Sequence, residues 1–78
     1  MITKRQIQIL QILTEPMTAR RIGSIIKMQD AHVHNAIKRI MPYGFVERKR
    51  MTVNDNYKEC YFYTRTEKGR ILSELFQW

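Results

Sequence analysis

Residues 30–50, DAHVHNAIKRIMPYGFVERKR, contain a change of periodicity, and that change decides the fold. Asp30 reads as the N-cap of a helix whose buried stripe is Val33, Ile37, Ile40 and Met41. Pro42 and Gly44 stop it, because proline lacks a backbone donor and glycine accepts a left-handed turn. At about 100° per residue, the side opposite the stripe shows Ala31, Asn35, Lys38 and Arg39, with His32 and His34 on its flanks. From Phe45 the texture changes. Residues 45–53 and 57–65 are rich in β-branched and aromatic side chains, and Asn54, Asp55 and Asn56 between them are turn formers, so a β-hairpin follows the helix. Cys60, Phe62 and Thr64 on one face of the hairpin compete with Tyr61 and Tyr63 on the other, and the pattern leaves the inward face open.

Upstream, Thr3 and Gln6 have the spacing of a capping box, which starts a helix near Lys4. Ile2 and Ile7 stand at the positions of a hydrophobic staple, and Ile9, Leu10, Ile12 and Leu13 complete an apolar face before Thr14, Glu15 and Pro16 end the helix. Thr18 caps a second, short helix with Ala19, Ile22, Ile25 and Ile26 on one side and Arg20, Ser24 and Lys27 on the other. Met28 and Gln29 form the turn into the third. Downstream, Thr66 caps a last helix on which Ile71, Leu72, Leu75, Phe76 and Trp78 spread over a wide arc. Three helices, a hairpin wing and a C-terminal helix make an α+β, mainly α winged helix-turn-helix, expected as one domain over residues 1–78.

The chain has 78 residues, with 14 Lys and Arg against 7 Asp and Glu, a formal charge of +7 that points to a polyanionic partner. Hydrophobic residues at 44% and charged residues at 27% are those of a folding chain, so the excess charge is not that of a disordered tail. The single cysteine, Cys60, cannot close an intramolecular disulfide, and no apolar run approaches a membrane span. Glutamines interrupt the apolar stretch after Lys4 and Arg5, which argues against a secretory signal. The expected setting is cytoplasmic and reducing, nucleoid-associated in a prokaryotic or viral host. The small size matches regulators from compact genomes such as those of viruses or plasmids.

Two passages carry a resemblance. Ile40-Met41-Pro42-Tyr43-Gly44-Phe45-Val46-Glu47-Arg48 resembles the leucine-x-x-x-glycine-leucine-valine-x-arginine passage that leaves the recognition helix of MarR-like winged-helix regulators. Thr66-Glu67-Lys68-Gly69-Arg70 is similar to the threonine-x-x-glycine-arginine segment with which those proteins leave the wing. With the helix pattern, the likeness covers roughly residues 4–72. It implies the winged-helix fold and DNA binding. The chain has few residues for the added helices that build the family's inducer pocket, so no small-molecule effector is expected.

An asparagine on a helix in the major groove pairs bidentately with adenine, and a small apolar side chain meets a thymine methyl. Asn35 and Ala31 suit these roles, while Gln29, His32, Lys38 and Arg39 reach other base edges or flanking phosphates. For the backbone the candidates are Thr18, Arg20, Arg21, Ser24 and Lys27 around the second helix, and Arg48, Lys49, Arg50 and Lys58 on the wing. The bland alternatives are a solvated helix face and a charged sheet edge that discourages aggregation. On the last helix, Leu72, Leu75, Phe76 and Trp78 are candidates for a homodimer interface, which would set two reading helices on two half-sites.

His32 and His34, two apart, point to different sides of a helix, and Cys60 has no spaced partner, so no metal is expected. No nucleophile, base and orienting acid form a set, and neither catalysis nor a cofactor is expected. The expected function is a sequence-specific regulator of transcription on double-stranded DNA. Its competitors are a protein-interaction adaptor using Tyr61, Phe62 and Tyr63, and an architectural or replication-associated DNA binder without a preferred sequence.

Overall fold

The computed structural model describes residues 2–53 and 58–76, with residues 51–53 and 58–60 described by backbone alone. Three helices come first, α1 (Lys4–Ile12), α2 (Ala19–Ile26) and α3 (Asp30–Ile40), the last running into a 3-10 turn (Met41–Tyr43). The strands β1 (Val46–Val53) and β2 (Lys58–Arg65) follow, and α4 (Glu67–Leu75) closes the chain. This is the expected winged-helix order. The hairpin turn at Asn54, Asp55 and Asn56, the Cys60 side chain and Trp78 lie outside what is described.

Threonine caps start three of the four α-helices. The Gln6 N–H donates to Thr3 Oγ1 at 3.1 Å while the Thr3 N–H donates to Gln6 Oε1 at 2.8 Å, which completes the capping box of α1. Thr18 accepts from the Arg21 N–H at 3.2 Å, and Thr66 from the Gly69 N–H at 3.1 Å. Helix α3 differs from expectation. Its N-cap is Gln29, without a side-chain cap bond, and Asp30 is its first helical residue. There the carboxylate still faces the positive end of the helix dipole, which favours an acid throughout the first turn and not only at the cap.

The centre of the core is Ile9 and Leu10 of α1, Ile22 of α2, and Val33, Ile37 and Ile40 of α3, all essentially without solvent exposure. Met41 and Leu72 pack against this cluster from its edge. Ile25 departs from expectation, at 48% exposed. The buried arc of α2 is Ala19, Ile22, Gly23 and Ile26, and at the helical period Ile25 falls about 110° from its centre. Gly23 occupies that arc because a Cβ there would sit 2.3 Å from the Met28 carbonyl oxygen.

The strands pair antiparallel from Val46 opposite Arg65 to Val53 opposite Lys58. A bridge between Met17 and Tyr63, with N–H to oxygen distances of 3.1 and 2.8 Å, ties β2 to the link between α1 and α2. It also settles which face of the hairpin is inward. Val46 and Tyr63 are 3% exposed, so the side carrying Tyr61 and Tyr63 is the one that meets the core, and Phe62 lies on the other side. Beside them Arg65 donates to the Leu10 carbonyl at 3.0 Å and to Ser73 Oγ at 3.1 Å, joining α1, β2 and α4. Among the described residues, no buried side-chain nitrogen or oxygen lacks a partner.

Candidate nucleic-acid interface

The stripe of Val33, Ile37 and Ile40 holds α3 against the core and turns its opposite side outward. Gln29, Ala31, His32, Asn35, Lys38 and Arg39 are all exposed there. At 100° per residue the order around the helix is His34, Lys38, Ala31, Asn35, Arg39, His32. The face therefore has two distinct flanks. On one of them His34 Nδ1 and Tyr63 Oη share a hydrogen bond of 2.6 Å, the imidazole tautomer setting which donates, and the rings meet edge to face at 5.7 Å. This contact places the hairpin beside the His34 flank. Burial pushes the Tyr63 phenol above its ordinary value of 10.0, and the Arg48 charge pulls the other way. The phenol thus stays neutral at physiological pH.

The wing cations do not form one cluster. Strand alternation puts Arg48 and Arg50 on the core-facing side with Tyr61 and Tyr63, and Lys49 on the opposite side, paired with Phe62. Arg48 lies 4.4 Å and Arg50 5.4 Å from the centroid of the Tyr61 ring, and Arg50 donates to Tyr61 Oη at 2.9 Å. The side chain of Lys58 lies outside the described residues. Tyr61, Phe62 and Tyr63 fail as a common docking face for the same reason: Phe62 points away from the two tyrosines, and Tyr63 is core.

On α2 the side chains of Arg20, Arg21, Ser24 and Lys27 are exposed, while the Thr18 hydroxyl is occupied by its capping bond. Arg21 makes a loose, exposed pair with Glu15 at 3.5 Å. Between residues 19 and 53 the acids Asp30 and Glu47 face Arg20, Arg21, Lys27, Lys38, Arg39, Arg48, Lys49 and Arg50, so this stretch carries nearly all of the chain's +7. Helix α4 is different. Arg70 pairs with Glu67 and, at 2.8 Å, with Glu74, and the Arg70 guanidinium holds the Glu67 carboxyl below its ordinary range while its own pKa is raised. Of the assembly candidates, Leu72 is half-buried against the core, where it lines with Ile40 and Phe45 a cleft of about 600 Å³. Leu75 is 72% and Phe76 41% exposed, and Ile71, which is not among those candidates, is 48% exposed.

The arrangement offers hydrogen-bonding side chains on a protruding helix, flanked by cations, to a polyanion. Tyr61 and the His34–Tyr63 contact are absent from the nucleic-acid candidates read in the sequence, where Tyr61 stood only as part of a protein-docking face. The parity of β1 and β2 held the signal for Tyr61, once the inward face was known. Among the described residues, no three His, Cys, Asp or Glu side chains group closely enough to hold a metal ion, and no helix is long and apolar enough to cross a membrane.

No protein-family model matches the chain, and no match was found among the curated proteins. Solved structures do resemble it. The crystal structure of ZitR, a zinc-responsive MarR family member from Lactococcus lactis, is 27% identical with a TM-score of 0.80, over 95% of this chain and 50% of that one. A cysteine-to-serine variant of ZitR in complex with DNA is 23% identical with a TM-score of 0.79, over 95% and 49%. The adhesin competence repressor AdcR of Streptococcus pyogenes is 20% identical with a TM-score of 0.81, over 95% and 53%. The present chain thus spans about half the length of each of these. The likeness covers 95% of the chain, and the chain has a MarR-like winged-helix fold.

Proposed function

We propose that the chain binds double-stranded DNA as a sequence-specific regulator of transcription, with α3 in the major groove and the wing on the neighbouring backbone. The observation that carries this reading is the outer face of α3, where Gln29, Ala31, His32, Asn35, Lys38 and Arg39 are exposed together on the most basic stretch of the chain. A major groove about 12 Å wide admits one such helix. On that face Asn35 pairs with adenine, Ala31 meets a thymine methyl, and Lys38, Arg39, His32 and Gln29 contact further base edges and phosphates. Arg20, Arg21, Ser24 and Lys27, with the α2 cap at Thr18, hold the register on one strand of the duplex. The likeness to a regulator solved on DNA supports the same docking.

The reading includes a homodimer. Ile71, Leu75 and Phe76 leave an apolar surface along α4 and its C-cap, and pairing two chains there would set two α3 helices on two half-sites.

Selection from a random duplex pool at near-physiological salt tests the whole reading. The expected result is enrichment of a motif with two half-sites, bound roughly 10³-fold or more above the starting pool. Binding without enrichment would replace the regulator by an architectural protein. No binding, even at low salt, would refute the DNA reading.

A further inference from the structure

The two arginines of β1 that share the core-facing side of the hairpin are held by a single aromatic ring. Val46 and Tyr63 anchor this side in the core, and further along the strands the same side leaves the core and shows Arg48, opposite Tyr63, and then Arg50 opposite Tyr61. The Arg48 guanidinium lies 4.4 Å from the Tyr61 ring centroid, within cation–π range. Arg50 lies at 5.4 Å and is also fixed by its bond to the phenol oxygen. Both are long side chains that lose rotamer freedom when they bind, and a ring that holds them in advance removes part of that cost. Two guanidinium groups drawn to one ring also repel each other, and Arg48 has no carboxylate partner among the described residues. The Arg48 charge calls for an anion in front of the ring.

The direction in which this anion lies follows from the contact one residue pair inward. Tyr63, opposite Arg48 on the ladder, bonds to His34 on the flank of α3. The Tyr61 side of the wing therefore opens on the same side of the molecule as α3, and the Lys49 side does not. We infer that Tyr61 is a positioning residue for DNA, aligning Arg48 and Arg50 on two backbone phosphates beside the groove occupied by α3, and that Lys49 takes no part in this contact. The inference rests on the DNA-binding reading above.

The test is a salt titration of the full chain on a short mixed-sequence duplex, comparing the unaltered protein with Tyr61→Leu, Tyr61→Phe, Arg48→Gln and Lys49→Gln. Each phosphate contact contributes about 0.9 to the slope of log K against log salt. Tyr61→Leu leaves the net charge unchanged, yet is expected to lower the slope by about one to two and the affinity on the order of three- to tenfold. Tyr61→Phe keeps the ring and should retain the slope, with a loss of about twofold for the missing oxygen. Arg48→Gln should lower the slope by about one, and Lys49→Gln should leave it near that of the unaltered chain. Tyr61 is 39% exposed, and far-UV circular dichroism will check that its variants are folded. A variant that only lost folded protein would bind less with an unchanged slope. That result for Tyr61→Leu, or equal slopes for the Arg48 and Lys49 variants, would overturn the assignment. An unaltered chain that binds no duplex at low salt would instead overturn the DNA reading on which it rests.

Discussion

Gly69→Ala is expected to destabilise the fold although alanine is the better helix former. Gly69 is buried in the first turn of α4, directly over the backbone of Phe45. A Cβ added there would stand 2.2 Å from the Phe45 carbonyl oxygen and 3.1 Å from its carbon, with Arg65 Cγ also at 3.1 Å. Relief requires α4 to move by about 1 Å against a rigid neighbour, which costs roughly 1–3 kcal/mol as overpacking. The movement also strains the Thr66 cap, whose acceptor serves the Gly69 N–H, and the bond from the Thr66 N–H to the same Phe45 oxygen at 3.0 Å. Weakening the cap adds about 1 kcal/mol, and the better helix propensity of alanine returns about 1 kcal/mol. The net loss is about 1–3 kcal/mol, and at roughly 4–8 °C per kcal/mol for a domain of this size a mid-range loss lowers Tm by about 8–16 °C. Urea and thermal unfolding followed by circular dichroism measure both. An alanine variant as stable as the unaltered chain would show that α4 and Phe45 are not in close contact.

Asn35→Ala, on an exposed site, should leave Tm unchanged, weaken binding to the selected duplex by about 1–3 kcal/mol, and relax one base position. An equal loss on every sequence would remove its base-reading role. The folded pKa of Glu67 lies below its ordinary 4.5 because of Arg70, so this stabilisation is complete above the unfolded value and fades as pH falls through the lower folded one. Glu67→Gln should therefore be less stable than the unaltered chain at neutral pH and equally stable in acid below both values. A difference that persists in acid would assign the effect to something other than charge. Lys27 holds a left-handed conformation at φ 59°. Lys27→Gly should raise stability by about 0.5–1 kcal/mol while lowering the salt slope of DNA binding by about one, and a gain in both would contradict its placement on the backbone.

The local parts of the fold were legible in the sequence, and the parts that depend on two elements at once were not. Capping at Thr3, Thr18 and Thr66 involves a hydroxyl and an amide three residues away, so the spacing alone reveals it. The buried stripe of α3 was legible because Val33, Ile37 and Ile40 lie on one side of a helix whose other side is polar. For α2 the same logic misplaced Ile25, since a short helix with isoleucine at three positions and glycine at a fourth fits two arcs, and only the close approach of Met28 selects between them. The hairpin was harder still. Both its faces carry aromatic residues, and the choice is made by the Met17 bridge and the His34 contact, which come from residues far away in the chain. Until that face is known, Arg48, Lys49 and Arg50 read as one cluster. The face of α3 was legible as polar and basic. What each of its side chains contacts depends on a duplex, whose shape no periodicity encodes.

Two departures from favourable local chemistry sit close together in the chain. Lys27 takes a left-handed conformation better suited to glycine, and among the described residues Gln29 stands at the one α-helix start without a side-chain capping bond. Non-glycine residues in that conformation cost about 1–2 kcal/mol, and a missing cap costs about 1 kcal/mol. In a domain whose whole stability is of the order of 5–10 kcal/mol, such losses are considerable. Both lie on the turn from α2 into α3, whereas α1 and α4 are capped and their polar groups paired. Core packing does not account for these two, because both side chains are exposed. They are expected if the turn is shaped for a partner, since local consistency is given up first where a surface serves another molecule. Lys27 at this turn then adds a cation beside the first residues of α3, and Gln29 offers an amide where a capping serine or aspartate would turn its oxygen back on its own helix. The winged-helix core supplies the rigidity, and the turn between α2 and α3 gives up some of it on the side where the proposed duplex lies.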